Sequence, residues 1–368
     1  MDATTAAAAT GHSKNLTNED GSMPGGGLND VLSGAQSIGR YFTIISALPS
    51  GLLVVFVYVL VKSESWVHSP DWSKGWAALI DPGISGVVWL TLASIGVALV
   101  THPMQLAMVQ FFEGYWGVYP ITQALRVQRI LQYQHECLQL EDDTADAETY
   151  WPLGDEGEEW SDSDEGEEAR DEGSSQTTTE IRAHLGSVRN ESLRIRDTYF
   201  PRAIDHIMPT RLGNVMRRFE VDSGSQYALD APTVFPHLML VTPAEHAAYV
   251  NDQRSQLDLT VRMSFMSLIA CAAAVLFLWR HGYWLLIACG PYFVAYLSYR
   301  GAIVLARQYA TAANTVVDLN RFALYKSLGL DRPRTTINER TTNKKLRLLL
   351  GEHSEYIVMN YEPSKQDD

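Results

Sequence analysis

The chain has 368 residues and a formal net charge of −14, from 29 basic and 43 acidic side chains, with 46% hydrophobic residues. Its three cysteines, Cys137, Cys271 and Cys289, do not make the even, spaced set of a disulfide-stapled secreted domain. The charge is concentrated: sixteen acids lie between Glu141 and Glu172 against the single base Arg170, and the remainder is close to neutral, which argues against a nucleic-acid-binding surface.

Residues 1–39 are rich in Ala, Thr, Ser, Gly and Asn, with Gly25 to Gly27 at their centre. Too little of this stretch is apolar to offset the entropy of ordering, so a disordered tail is expected. It has neither a basic leader nor an early apolar core, and so does not read as a cleavable signal. The first apolar run, 41–61, is long enough to cross a bilayer core, and Pro49-Ser50-Gly51 inside it predicts a kink. A polar loop over 62–82 follows, with Trp66, Trp72 and Trp76, a residue type that collects at the headgroup level.

Residues 84–101 form a second apolar run. His102-Pro103 follows, and the chain stays uncharged to Phe112, more than one crossing needs. The excess implies tilt, or a helix that bends at Pro103 and continues along the interface. Spans 1 and 2 thus occupy 40–112. Residues 113–140 read as a juxtamembrane helix, and the acidic stretch with its Ser/Thr/Gly continuation, 141–180, reads as a disordered loop because like charges repel. A cytosolic helical domain is expected over 181–261. Thr242-Pro243-Ala244-Glu245 has the pattern of a capped helix start, with nothing to break a helix from there to Arg280.

The stretch 262–306 holds two apolar runs joined by Arg280-His281-Gly282, the pattern of a transmembrane hairpin (spans 3 and 4). Beyond it, 307–351 continues as a cytosolic helical extension. Ile303, Ala306, Ala310, Ala313, Val317, Leu324 and Leu328 recur there at helical period, and Thr336 with Glu339 opens a last short helix. A polar tail occupies 352–368. The fold class is therefore all-α: four transmembrane helices, with a helical cytosolic domain formed by helix extensions and the insertion between spans 2 and 3. Nine basic residues flank the ends assigned to the inside and three (Lys62, Lys74, Arg280) the outside, so both termini are expected in the cytosol, in a multi-pass protein of the inner (plasma) membrane.

Motifs for chemistry are sparse. His135-Glu136 begins like a zinc-protease helix, but Gln139 stands where the second histidine is needed. Asp162-Ser163-Asp164-Glu165-Gly166 places its glycine fifth, where a calcium loop needs it sixth. No phosphate loop, nucleophile elbow or dinucleotide turn occurs, so no catalytic, cofactor or metal residue is assigned. His102 is the ionisable group nearest the membrane core, and such groups are functional candidates. Arg211, Asn214, Asp230 and His237 are the polar candidates in the cytosolic domain, with helix capping and turn pairing as the alternative role.

Three runs surround those four residues: Thr210-Arg211-Leu212-Gly213-Asn214, Tyr227-Ala228-Leu229-Asp230-Ala231 and Phe235-Pro236-His237-Leu238. Followed by a spanning hairpin, they resemble a group of uncharacterised bacterial multi-span membrane proteins. In that pattern Gly, Trp and Arg are expected where this chain has Ala228, Phe235 and His237. The resemblance covers roughly 209–330; it implies the architecture and a bacterial source, and brings no activity. The expected function is a non-enzymatic membrane-anchored scaffold or sensor, its partners the lipid bilayer and either a protein or a second copy through coiled-coil-like cytosolic helices. The alternative is an oligomeric channel or transporter using the kinks of spans 1 and 2.

Overall fold

The computed structural model describes residues 47–66, 69–117, 119–150, 172–351, 356–359 and 361, all within one compact unit spanning 44–368. The expected tail over 1–39 and the acidic residues 151–171 lie outside them. Among the described residues the chain is all-α, with an isolated β-bridge between Leu330 and Tyr361. Eleven α-helices are described: α1 Leu48–Lys62, α2 Trp72–Ile80, α3 Gly83–Thr101, α4 Gln105–Glu113, α5 Pro120–Tyr150, α6 Glu172–Tyr199, α7 Arg211–Asp222, α8 Ala231–Val241, α9 Ala244–Leu278, α10 Cys289–Ser327 and α11 Thr336–Leu350.

The long pair α9 and α10 is the frame. At 1.5 Å per residue they extend about 52 and 58 Å. They pack side by side along a seam of small residues, including Ala270, Ala274, Ala295, Ala302 and Ala306, all buried. Small side chains let two helix backbones approach closely, and Ser264 Oγ donates across the seam to the Ala295 carbonyl at 2.9 Å. The turn between the two helices is a 3₁₀ segment, Gly282–Ala288, so the run read as span 4 becomes α-helical only at Cys289.

Among the described residues two helices, α3 and α9, are long and apolar enough to cross a membrane. They differ in surroundings. Only 6% of the apolar window of α3 is buried, against 44% for α9. Ile84, Trp89 and Leu92 of α3 are open, whereas Leu60 of α1 is fully enclosed beside Ala274 and Leu278. The hydroxyls of Thr91, Ser94 and Thr101 donate to their own helix at the carbonyls of Val87, Leu90 and Val97. These three hydroxyls are thereby satisfied within the helix and need no water. Helix α1 is described over 15 residues and opens with Pro49 in its first turn, a position proline tolerates. The residues before it, 41–46, lie outside the described ones, and with them the upstream arm of the kink expected at Pro49.

Four further expectations change. Pro103 ends α3 rather than bending it, because proline has no N–H to continue the ladder; His102 to Met104 form the break before α4. The juxtamembrane helix begins at Pro120 rather than 113, since Gly114, at φ +99°, closes α4 in a left-handed cap. Thr242 does not cap α9: its hydroxyl donates back to Leu238 O at 2.8 Å and Pro243 stands at the cap. The loop expected over 141–180 is helical at both ends, through Tyr150 in α5 and from Glu172 in α6. Tertiary packing outweighs the charge repulsion at its start, where Arg196 Nε and Nη2 both donate to Glu141 Oε1 at 3.1 Å beside buried Cys137, Phe200 and Ile207.

The largest buried cluster is built where the C-terminal half of α10 and the N-terminal part of α9 meet α8 and α11. Val250, Val316, Val317, Leu324, Leu238 and Leu346 share one buried cluster. The α10 stripe read from the sequence faces inward, with Val317 3% and Leu324 2% exposed. Helix α11 starts one residue after its cap, Thr335, whose hydroxyl accepts from Asn338 N at 3.2 Å. It is pinned to α10 by Arg321–Glu339 at 2.8 Å and by a hydrogen bond from Tyr325 to Asn343.

Candidate functional site

The distinctive polar layer sits where α4, α7, α9 and α10 meet, just beyond the end of α3. Its geometry begins with Thr210-Arg211-Leu212-Gly213-Asn214. Thr210 caps α7, its hydroxyl accepting from Gly213 N at 3.0 Å. Arg211 reaches across to Glu136 of α5 at 2.9 Å. Leu212 is 1% exposed, and its N–H points to the Tyr299 hydroxyl of α10 at 3.5 Å. Gly213 is the contact point itself: a Cβ there would lie 2.1 Å from the Glu113 carbonyl oxygen. Asn214 is fully buried and closes the preceding loop, accepting from Met208 N at 2.6 Å and donating to Met208 O at 3.1 Å.

This close approach holds Glu113, the last residue of α4, in a half-buried position. Loss of water raises its carboxyl pKa to about 7. The nearby Glu220 adds to the rise and Arg254 partly opposes it. At the other end of α4, Arg262 is 1% exposed, the largest fully buried side chain described. Its Nε donates to Gln105 Oε1 at 2.9 Å, and Gln105 Nε2 donates to the Asp258 carbonyl at 3.3 Å. Helix α4 is thus latched at its first residue to α9 and at its last to α7.

No protein-family model, curated protein or solved structure matches this chain. The site is therefore read from its geometry alone.

The five residues singled out in the sequence do not form one site. Arg211 and Asn214 belong to the α7 junction, and their contacts are those of a salt bridge and a turn lock. His102 is exposed in the break between α3 and α4, where its N–H donates to Ala98 O at 3.0 Å and its carbonyl accepts from Gln105 N at 3.2 Å. Asp230 and His237 meet at Thr233 on α8: the Thr233 hydroxyl donates to Asp230, and His237 Nδ1 lies 3.2 Å from the Thr233 carbonyl. Ala228, where the resembled pattern has glycine, adopts φ +54°, the left-handed region glycine enters without penalty.

Sequence reasoning missed Gln105, Glu113, Asp258 and Arg262 as a set. A signal existed for two of them: Glu113 is the first charge after the uncharged stretch from Pro82 to Phe112, and Arg262 the last before the apolar run of α9. The meeting of Gln105 with Asp258 and Arg262, about 150 residues away, carried no local pattern. Chemically the layer can hold and release a proton near neutrality at Glu113. Among the described residues, no three of His, Cys, Asp and Glu converge to hold a metal ion.

Proposed function

We propose that the chain spans the inner membrane four times with both termini in the cytosol, akin to the bacterial multi-span proteins its motifs resemble. In this reading it acts as a non-enzymatic scaffold or sensor through its cytosolic helices. The observation that carries the membrane reading is α3: an uncharged 19-residue helix with 6% of its window buried is unsuited to water and unlike the core helix of a soluble protein. Spans 1 and 4 then correspond to α1 and to the first half of α10.

Scaffold is favoured over channel by the cavity beside α1. It has a volume of about 450 Å³ and is lined by Leu52, Phe56, Met263, Met266 and other apolar groups, with Ser267 as its polar exception. Such walls suit an apolar occupant better than a water-filled path. On the cytosolic side, Val127, Leu131 and Leu138 of α5 stand 49–59% exposed at coiled-coil spacing, opposite the face packed on α6, and present an apolar stripe to a protein partner or a second copy.

Two measurements test this. In a cysteine-free background, Lys74→Cys is expected to label with an impermeant maleimide on intact cells and Lys344→Cys only after lysis; the reverse pattern overturns the topology. Particle images of the purified protein are expected to show a packed monomer or dimer. A ring around a wet axis would favour the channel reading.

A further inference from the structure

Between α4 and α5 the chain turns an elbow that encloses a groove of about 570 Å³, lined by Gln110, Phe111, Tyr115, Trp116, Thr122 and Leu125. Around it Leu106, Phe111, Tyr115, Tyr119, Ile121 and Leu125 are each 46–76% exposed, an apolar surface continuous along both arms of the elbow. The elbow lies one short helix beyond the end of α3, which places it at the inner boundary of the bilayer if α3 crosses it. Tryptophan and tyrosine gather at that depth because their rings are apolar and their polar tips remain wet. Trp116 is held in place there, its Nε1 donating to Phe111 O at 2.8 Å.

The charge pattern is the second, independent observation. Several arginines on the neighbouring helices are matched by carboxylates: Arg211–Glu136, Arg196–Glu141, Arg217–Glu220 and Arg194–Glu191. Arg126 and Arg129, on the turn after Thr122 and Leu125, form no ion pair among the described residues. Arg129 bonds to the neutral Gln132, and the buried Nε of Arg126 has no acceptor. The charge of Arg126 acts on the Tyr115 phenol in the groove wall. Glu220, which also faces Tyr115, is already bonded to Arg217 at 3.1 Å.

We infer that this elbow is a binding site for an anionic phospholipid of the inner leaflet, its acyl–glycerol portion against Phe111, Trp116 and Leu125 and its phosphate at Arg126 and Arg129. An apolar groove beside two unpaired guanidiniums matches an amphiphile of negative charge. Neither a free phosphate, which leaves the groove empty, nor a neutral lipid, which leaves the arginines unpaired, fits both halves. The inference rests on the membrane reading of α3.

The full chain is reconstituted in nanodiscs of phosphatidylcholine, with and without phosphatidylglycerol, and retained lipid is counted by native mass spectrometry. The wild type is expected to retain phosphatidylglycerol selectively. At about fivefold for each basic side chain, selectivity should fall roughly fivefold in Arg129→Gln and roughly thirtyfold in Arg126→Gln/Arg129→Gln. Arg280→Gln, at the hairpin tip, should leave it unchanged. Thermal unfolding in pure phosphatidylcholine should be alike for wild type and Arg129→Gln, which separates lost lipid from lost fold. Equal selectivity in all variants, no selectivity in the wild type, or displacement of the lipid by inorganic phosphate overturns the site. Failure of the membrane reading has a different signature, release of the wild-type chain from cell membranes by alkaline carbonate.

Discussion

Replacing Glu113 with glutamine should make the protein more stable, and more so as pH rises. In the folded chain the Glu113 carboxyl is deprived of water where α7 presses Gly213 onto its backbone, and it faces Glu220, so its pKa is lifted from 4.5 to about 7. The native state therefore keeps a proton that the unfolded chain releases between about pH 4.5 and 7. Stability from this group is intact below the unfolded value and is lost as pH rises through the folded one. The shift corresponds to an upper limit of about 3 kcal/mol at pH 8, lowered by whatever solvent still reaches the half-buried side chain. Glutamine keeps the shape and the neutral form at every pH. Equilibrium unfolding of the full chain in detergent at about pH 5 and about pH 8 should show wild type and Glu113→Gln close together at the lower pH, with the variant ahead by 1–3 kcal/mol, roughly, at the higher. A constant difference across that range would refute the reasoning, because it would mean that Glu113 titrates alike in both states.

Other substitutions probe the packing. Gly213→Ala must displace the Glu113 carbonyl and should cost about 1–3 kcal/mol in unfolding free energy, whereas Gly301→Ala, with nothing within 4 Å of the new Cβ, should be neutral or stabilising by up to about 1 kcal/mol. Val317→Asp places a carboxylate in the core under α9 and α10; it should lower stability by more than the roughly 1.5–3 kcal/mol of lost burial, while exposed Thr315→Asp should change it little. Ala228→Gly relieves a left-handed backbone and should raise the unfolding midpoint slightly, by about 0.5–1 kcal/mol in free energy.

Much of the architecture was legible because it is written at helical period. The apolar runs of α3 and α9, the inward stripe of α10 through Val317 and Leu324, and the final helix opened by Thr335 and Thr336 all depend on neighbours three or four residues away. What escaped depended on partners far along the chain. Pro103 ends a helix where the sequence allowed either a bend or a tilt, and its flanks do not say which. The start of the acidic stretch stays helical because Glu141 meets Arg196, a pairing no window of sequence contains. Asn214 and Arg211 stood out as polar residues in a dense motif; the burial of Asn214 and the pairing of Arg211 with Glu136 show that such a motif can be spent on joining elements. The groups with unusual electrostatics, Glu113 and Arg262, stood at the edges of apolar runs, where a charge reads as a boundary marker.

Helices α9 and α10 run without interruption from the 3₁₀ turn at Gly282–Ala288 to the core around Val317, and this makes the pair a lever. A rod about 52 Å long that leans by 10° carries its far end sideways by roughly 9 Å. Bilayers that thin or thicken change the lean of their spanning helices. If the pair crosses a bilayer as proposed, such a change would be delivered directly to Val250, Val317 and the helices packed on them, with no break along either rod to absorb it. The counter-support is α4, fastened to the lever by Arg262 and to the α7 platform at Gly213, so that under the proposed membrane reading a change of bilayer thickness would become a change of angle at the Val317 core.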